Sequence, residues 1–239
     1  MRLFAGGIAL SLSLVVGTSP CAAADEWGGS LGITSDYVVR GISRSDDRAA
    51  LQLDLHYLDA SGFLAGMFAS NTRIDPDQPT DVEVDAFLGF AWTTGGDWRG
   101  KILASYYAYP WNAYGTTYNY AEVDLDLAFR DWLDASVAFS PDEPRYVPYH
   151  GIMGVTSESA EVNLQRPVVG KLSATAGVGY AHYSGPDPAG YAYWSFGAAL
   201  DLAPVTLVLT YVDTTAGAKT LFYNAAADHL WLGTVIWRF

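Results

Sequence analysis

Cysteine is nearly absent from this chain of 239 residues; the one copy, Cys21, sits in the N-terminal leader. Residues 1–24 have the form of an export signal. Arg2 is their only charge, an apolar run follows from Leu3 to Gly17, and Ala22-Ala23-Ala24 offers a small-residue cleavage site before Asp25. Thr18-Ser19-Pro20, ahead of Cys21, lack the leucine and small-residue pattern that lipidation requires. Cleavage after Ala24 leaves a mature chain, 25–239, with no disulfide and no thiolate metal site. Long apolar runs are missing too. No stretch of the mature chain reaches the length a membrane-crossing helix needs. Basic residues are scarce: with Arg2 removed, 12 Lys and Arg face 26 Asp and Glu, a net charge of −14. No basic stripe exists to neutralise phosphates, which excludes nucleic acid as a partner. Phosphate-binding glycine patterns are absent, and no cofactor is expected. The remaining length, about 215 residues, suits a single barrel or sandwich without a second domain.

What is present is aromatic and alternating. Aromatics make up 14% of the chain, against only 16% charged residues, with 16 Tyr and 8 Trp. Period-2 patterns predict strands over 29–40, 49–58, 62–71, 82–92, 97–108, 119–129, 132–140, 155–165, 171–183, 191–202, 205–212 and 228–239. Their connections alternate strictly. Short joins at 59–61, 93–96, 130–131, 166–170 and 203–204 separate long ones at 41–48, 72–81, 109–118, 141–154, 184–190 and 213–227. A membrane barrel alternates in this way because one rim carries tight turns and the other carries longer loops. A soluble sandwich has no reason to do so. The last strand reads Trp231, Gly233, Val235, Trp237 and Phe239 on one face, aromatic at both ends and long enough to cross a bilayer when tilted. The expected fold is therefore all-β: an antiparallel transmembrane β-barrel of about twelve strands over 25–239, with short periplasmic turns and longer external loops.

Parity assigns faces. Leu51, Leu53, Leu55 and Tyr57 oppose Gln52, Asp54 and His56. Val82, Val84, Ala86 and Leu88 oppose Glu83 and Asp85. Ala121, Val123, Leu125 and Leu127 oppose Glu122, Asp124 and Asp126. In water the apolar face would be the core; in an outer membrane it meets lipid and the acidic face lines the lumen. The closing strand and the loop pattern select the second arrangement.

Four short motifs recur in order: SDYVVRGIS at Ser35 to Ser43, FASN at Phe68 to Asn71, VEVD at Val82 to Asp85 and YYAYP at Tyr106 to Pro110, followed by Glu122. This order resembles the proteobacterial TorF-type porin family, an outer-membrane family of otherwise unknown function, from about Ser30 to the C-terminus. The resemblance implies a β-barrel with a channel role and no particular solute. The terminal Phe239 with Trp237 two residues before it resembles the signature read by the barrel-assembly machinery, which implies that machinery and outer-membrane lipid as partners. After Pro110 the chain has Trp111-Asn112-Ala113-Tyr114 where the family pattern has a glycine-rich loop, so a loop function does not carry over.

The candidate lumen and selectivity residues are Arg40, Asp54, Glu83, Asp85, Lys101, Glu122, Asp124 and Asp126. Arg40 and Lys101 fall on the polar faces of the first and fifth expected strands. Carboxylates facing cations across a pore set ion preference; packed together, they would instead close it. The expected function is a channel for small solutes or ions that favours cations, with a structural or ligand-binding barrel as the alternative. The tract Tyr106, Tyr107, Tyr109, Trp111, Tyr114, Tyr118 and Tyr120 reads first as an interfacial girdle and second as a ligand-binding rim. His182 lies near Ser184, the minimum for an acyl hydrolase, but nothing marks an oxyanion hole. His150 and Glu143 share a loop without a metal motif. No enzyme activity is expected.

Overall fold

Alternating strands pair edge to edge until the sheet closes on itself. The computed structural model describes residues 25–73, 81–94, 96–112, 117–222 and 227–239. The export signal expected over 1–24 lies outside them. In chain order the elements are β1 (Glu26–Thr34), β2 (Val38–Val39), β3 (Ile42–Ser43), β4 (Ala50–Leu58), β5 (Phe63–Thr72), β6 (Asp81–Thr93), β7 (Trp98–Ala108), β8 (Tyr120–Phe129), β9 (Leu133–Val147), β10 (Gly151–Val169), β11 (Leu172–Tyr183), β12 (Ala189–Asp201), β13 (Val205–Thr214), α1 (Ala216–Leu221) and β14 (Leu230–Arg238). β1 and β4 through β14 form one closed barrel of twelve antiparallel strands in which each is bonded to its sequence neighbours. β14 returns to β1, with Ser30 opposite Arg238 and Thr34 opposite Thr234. Gly29 and Phe239 exchange both backbone hydrogen bonds, at 3.0 and 3.1 Å. The terminal residue thus completes the seam as well as exposing its ring.

The faces are inverted relative to a protein folded around an apolar core. Leu51, Leu53, Leu88, Val123, Val178 and Leu209 point outward and are exposed. Lumen-facing Glu83, Asp85, Glu122 and Asp126 are buried. Aromatic pairs ring the short-turn end: Trp27 with Tyr57, Trp98 with Phe129, and Trp237 with Phe239. At the other end Tyr211 packs against Phe196 and Trp231. Membrane-spanning barrels present an apolar band of this kind between aromatic rims. Among the described residues no helix is long and apolar enough to cross a membrane. The short turns are locally specified. Asp59 accepts hydrogen bonds from the hydroxyl and N–H of Ser61 and from the N–H of Phe63. These, led by the Ser61 hydroxyl, hold its carboxyl below the usual carboxylate range.

Two expected boundaries move. The first strand stops at Thr34 rather than continuing to 40. Arg40, Gly41, Asp46 and Asp47 all have positive φ, which ends extended backbone. Residues 35–48 turn into the barrel as a strap whose tip is the β2–β3 hairpin. Second, the long connection expected over 141–154 is mostly strand. β9 runs on to Val147 and β10 begins at Gly151, so the join is only residues 148–150.

Candidate functional site

The strap is pinned at its base by its own sequence. The Asp36 carboxylate accepts hydrogen bonds from the hydroxyls of Ser43 and Ser45, at 2.8 and 2.6 Å. The Arg44 N–H donates to the Tyr37 carbonyl. Val38 and Ile42 then bury against Tyr191, Tyr193 and Val212 of β12 and β13. Gly41 lies at the tip with φ +80°, where a side chain would also meet Tyr193 and Thr214. The Tyr191 hydroxyl donates to the Arg40 carbonyl at 3.0 Å. β12 and β13 thus hold the apolar side chains of the strap, and β12 also holds the Arg40 carbonyl.

Its side chains reach the opposite wall. Arg40 pairs with Glu122 of β8 at 2.7 Å and with Glu143 of β9 at 3.8 Å. Arg44 pairs with Glu143 at 3.5 Å. The Tyr37 hydroxyl donates to Glu83 of β6 at 2.5 Å, and Tyr109 donates to the other oxygen of the same carboxylate. Ser157 and Tyr183 donate to Glu143, and Tyr107 to Glu122. Hydrogen bonds to ionised acceptors are the stronger kind, and here they are withdrawn from water. Below the strap lies a pocket of about 640 Å³ of space unfilled by protein atoms, part of it open to solvent. Its charged lining is Arg40, Arg44, Glu83, Glu122, Asp124 and Asp126; Tyr37, Phe87, Tyr107 and Tyr120 supply aromatic surface.

The parity assignments of Glu83, Asp85, Lys101, Glu122, Asp124 and Asp126 hold: all sit on the inward faces of β6, β7 and β8. Lys101 pairs with Asp126 at 3.6 Å. Asp85, between Glu83 and Phe87 on one face, is 0% exposed. Neither of its carboxylate oxygens has a hydrogen-bond partner among the described residues. Asp124 receives neither a hydrogen bond nor an ion pair there. Asp54 also faces inward, but its partner is His56, at 2.7 Å, and no hydrogen bond joins it to the strap network. Arg40 requires correction. It is not on the polar face of a strand but on the strap, which carries it across the lumen to β8 and β9.

Sequence reasoning missed Glu143 and Arg44. Counting inward from Ser140 by twos selects Asp142 and points Glu143 outward. The β9–β10 register shifts between Val155, opposite Glu143, and Ser157, opposite Ser140. That bulge flips the phase, so Glu143 and Arg145 turn inward and are buried. Pro141 and Pro144, within what is still a paired strand, were the available signal, since proline in a sheet marks edges and bulges. The girdle reading of the tyrosine tract also fails in part. Tyr107, Tyr109 and Tyr120 are buried in the lumen, whereas Tyr106 and Trp111 are exposed. Tyr114 lies outside the described residues. His182 sits on β11 opposite Glu158 and Gly190. No hydrogen bond joins it to Ser184 among the described residues; the Ser184 N–H donates to Thr156. Glu143 belongs to the strap network, while His150 lies in the β9–β10 turn.

The barrel is similar to solved porins. The structure described as the NanC porin in a rhombohedral crystal form aligns with a TM-score of 0.54 at 11% identity, covering 89% of this chain and 98% of that one. The KdgM porin aligns with a TM-score of 0.53 at 8% identity, covering 89% and 99%. A second structure, the KdgM porin in complex with disordered oligogalacturonate, aligns at 0.51 and 7%, covering 90% and 99%. At these identities the likeness is one of fold. A comparison with curated proteins finds no match. The model of a bacterial family of unknown function, Gcw_chp, matches residues 18–237, and the chain belongs to that family.

Proposed function

We propose that this protein is an outer-membrane channel for small solutes, one that favours cations and is narrowed by the strap over residues 35–48. In this reading residues 1–24 direct export and are removed, and Trp237 and Phe239 present the closing strand to the barrel-assembly machinery. The chain is not an enzyme, and it fits the TorF-type porin description. The observation that carries the reading is the composition of the strap-facing lumen. Glu83, Asp85, Glu122, Asp124, Asp126 and Glu143 outnumber the inward cations Arg40, Arg44, Lys101 and Arg145. Fixed negative charge within low-dielectric walls raises the local concentration of cations and lowers their entry barrier. The barrel shares its fold with the KdgM porin, which has been seen with oligogalacturonate, an acidic chain. The acidic wall here would repel such a polyanion.

The test is the reversal potential of refolded mature protein in a planar bilayer under a salt gradient. Wild type should prefer cations. Changing Glu83, Asp85, Asp124 and Asp126 to Gln or Asn keeps their size, removes four charges and should move the potential toward anion preference. The movement should be larger at 0.01 M salt, where screening extends over roughly 30 Å rather than about 10 Å. A wild-type preference for anions would mean that Arg40 and Lys101 govern the constriction. A second reading is favoured by the strap itself, whose buried guanidiniums and tyrosines cross the lumen: a barrel that binds a ligand without conducting. Silent bilayers containing correctly folded protein would select it.

A further inference from the structure

We infer that the pocket beneath the strap is a binding site for a small organic cation, an amine or guanidine carried on an apolar stem. This rests on the cation-favouring reading above and narrows it to a ligand class. The first support is a charge deficit. Four carboxylates, Glu83, Glu122, Asp124 and Asp126, line the pocket and two cations, Arg40 and Arg44, answer them, which leaves a formal excess of two negative charges. Buried charge of one sign is costly until it is compensated, by protons or by a ligand of opposite charge.

The second support is where the deficit falls. Arg40 and Arg44 satisfy Glu122 and Glu143 at the strap, Tyr37 and Tyr109 satisfy Glu83, and Lys101 satisfies Asp126. Asp85 and Asp124 remain. Asp85 is wholly buried with two unpartnered oxygens, and it stands between Glu83 and Phe87, both of which line the pocket. Asp124 lines the pocket directly.

The third support is the remaining surface. Tyr37, Phe87, Tyr107, Tyr120 and Leu103 give the pocket rings and hydrocarbon between its carboxylates. Aromatic faces with carboxylates recognise an ammonium or guanidinium through cation–π attraction and charge together, and they bury its stem. A coordinated metal ion fits less well. Among the described residues no three His, Cys, Asp or Glu side chains converge as metal ligands would.

The experiment uses spermidine as the probe, with sorbitol as a neutral comparator of similar size and galacturonate as an anionic one. Calorimetric titration of the refolded, detergent-solubilised mature protein at low salt does not depend on conductance. Spermidine should bind at least tenfold more tightly than either comparator. Asp124→Asn should weaken it about tenfold, and Asp85→Asn should weaken it as well, with folding of each variant checked by its heat-dependent gel shift. Where the pore conducts, spermidine should block potassium current with the same ranking of variants. Equal binding of spermidine and sorbitol, or spermidine binding indifferent to both substitutions, would overturn the site and leave the deficit to protons. If spermidine fails while the pore remains cation-selective, only the ligand class is lost. An anion-selective pore would sink the channel reading, whatever spermidine does.

Discussion

The two walls of the lumen differ in kind. From β6 to β10 the inward residues include Glu83, Asp85, Glu122, Asp124, Asp126, Asp134, Glu143 and Glu161. From β11 to β14 and on to β1 they are mostly small or uncharged: Thr175, Gly177, Gly179, Ser195, Gly197, Thr206, Thr210, Thr234 and Gly32 among them. The charged wall supplies groups, and the neutral wall supplies room and anchorage. The strap shows both roles, since β12 and β13 hold its apolar side chains and the Arg40 carbonyl while β6, β8 and β9 hold its polar side chains. Glu161 shows them on a smaller scale. It projects from β10 and is met by Tyr193, which crosses from β12 at 2.8 Å, and by Asn163 at 2.5 Å. If this division holds, damage should be large where a charge loses its partner, intermediate where room is taken away, and slight where a neutral hydroxyl is exchanged for a methyl.

The largest effect should come from Glu143. It answers two guanidiniums and accepts from Ser157 and Tyr183, all within the lumen. Glu143→Ala leaves Arg44 without its carboxylate and Arg40 with Glu122 alone. Removing one partner of a buried ion pair typically costs about 3–5 kcal/mol. Denaturant unfolding followed by tryptophan fluorescence should show a loss of that size. A loss under about 1 kcal/mol would mean that water reaches the network freely and that the strap is not fixed by charge.

How much of this was legible follows from the same contrast. Strand number and inward faces could be read because alternation is strict and a one-residue slip would turn a whole face over. β6 and β8 are the clearest cases, with carboxylates and aliphatics trading places residue by residue. The strap was not legible because Val38, Val39 and Ile42 are good strand formers on either reading. The turn inward depends on Gly41 and on positive φ at Arg40, Asp46 and Asp47. Glu143 was hidden by a bulge that parity cannot see. The tyrosines of YYAYP were read as rim because aromatic residues suit a membrane interface. Parity carried on from Lys101 along β7 already turns Tyr107 and Tyr109 inward, where Glu122 and Glu83 receive their hydroxyls.

The intermediate effect belongs to Gly179, on the neutral wall beneath Tyr193. A carbon added there would run into the ring and hydroxyl of Tyr193. Gly179→Ala must therefore push Tyr193 away from Glu161, a strain of about 1–3 kcal/mol. The test is a double-mutant cycle with Tyr193→Ala. Once the ring is gone, Gly179→Ala should be nearly silent, so the two effects should couple by about 1 kcal/mol or more. Additive effects would show that Gly179 serves the backbone and not the ring.

The smallest effect should be at Thr210. Its hydroxyl oxygen is buried on β13 and has no hydrogen-bond partner among the described residues. On the charged wall, an unanswered polar group attracts a ligand or a cation. On the neutral wall it is only a hydroxyl that has lost water. Thr210→Val replaces that hydroxyl with a methyl of similar size, breaks no protein hydrogen bond and removes a desolvation cost. Stability should change by less than about 1 kcal/mol, with any change in the stabilising direction. Single-channel conductance should stay at the wild-type value, since no lumenal charge is altered. A loss above about 1.5 kcal/mol would show that ordered water answers this hydroxyl, and that the neutral wall carries a polar network of its own.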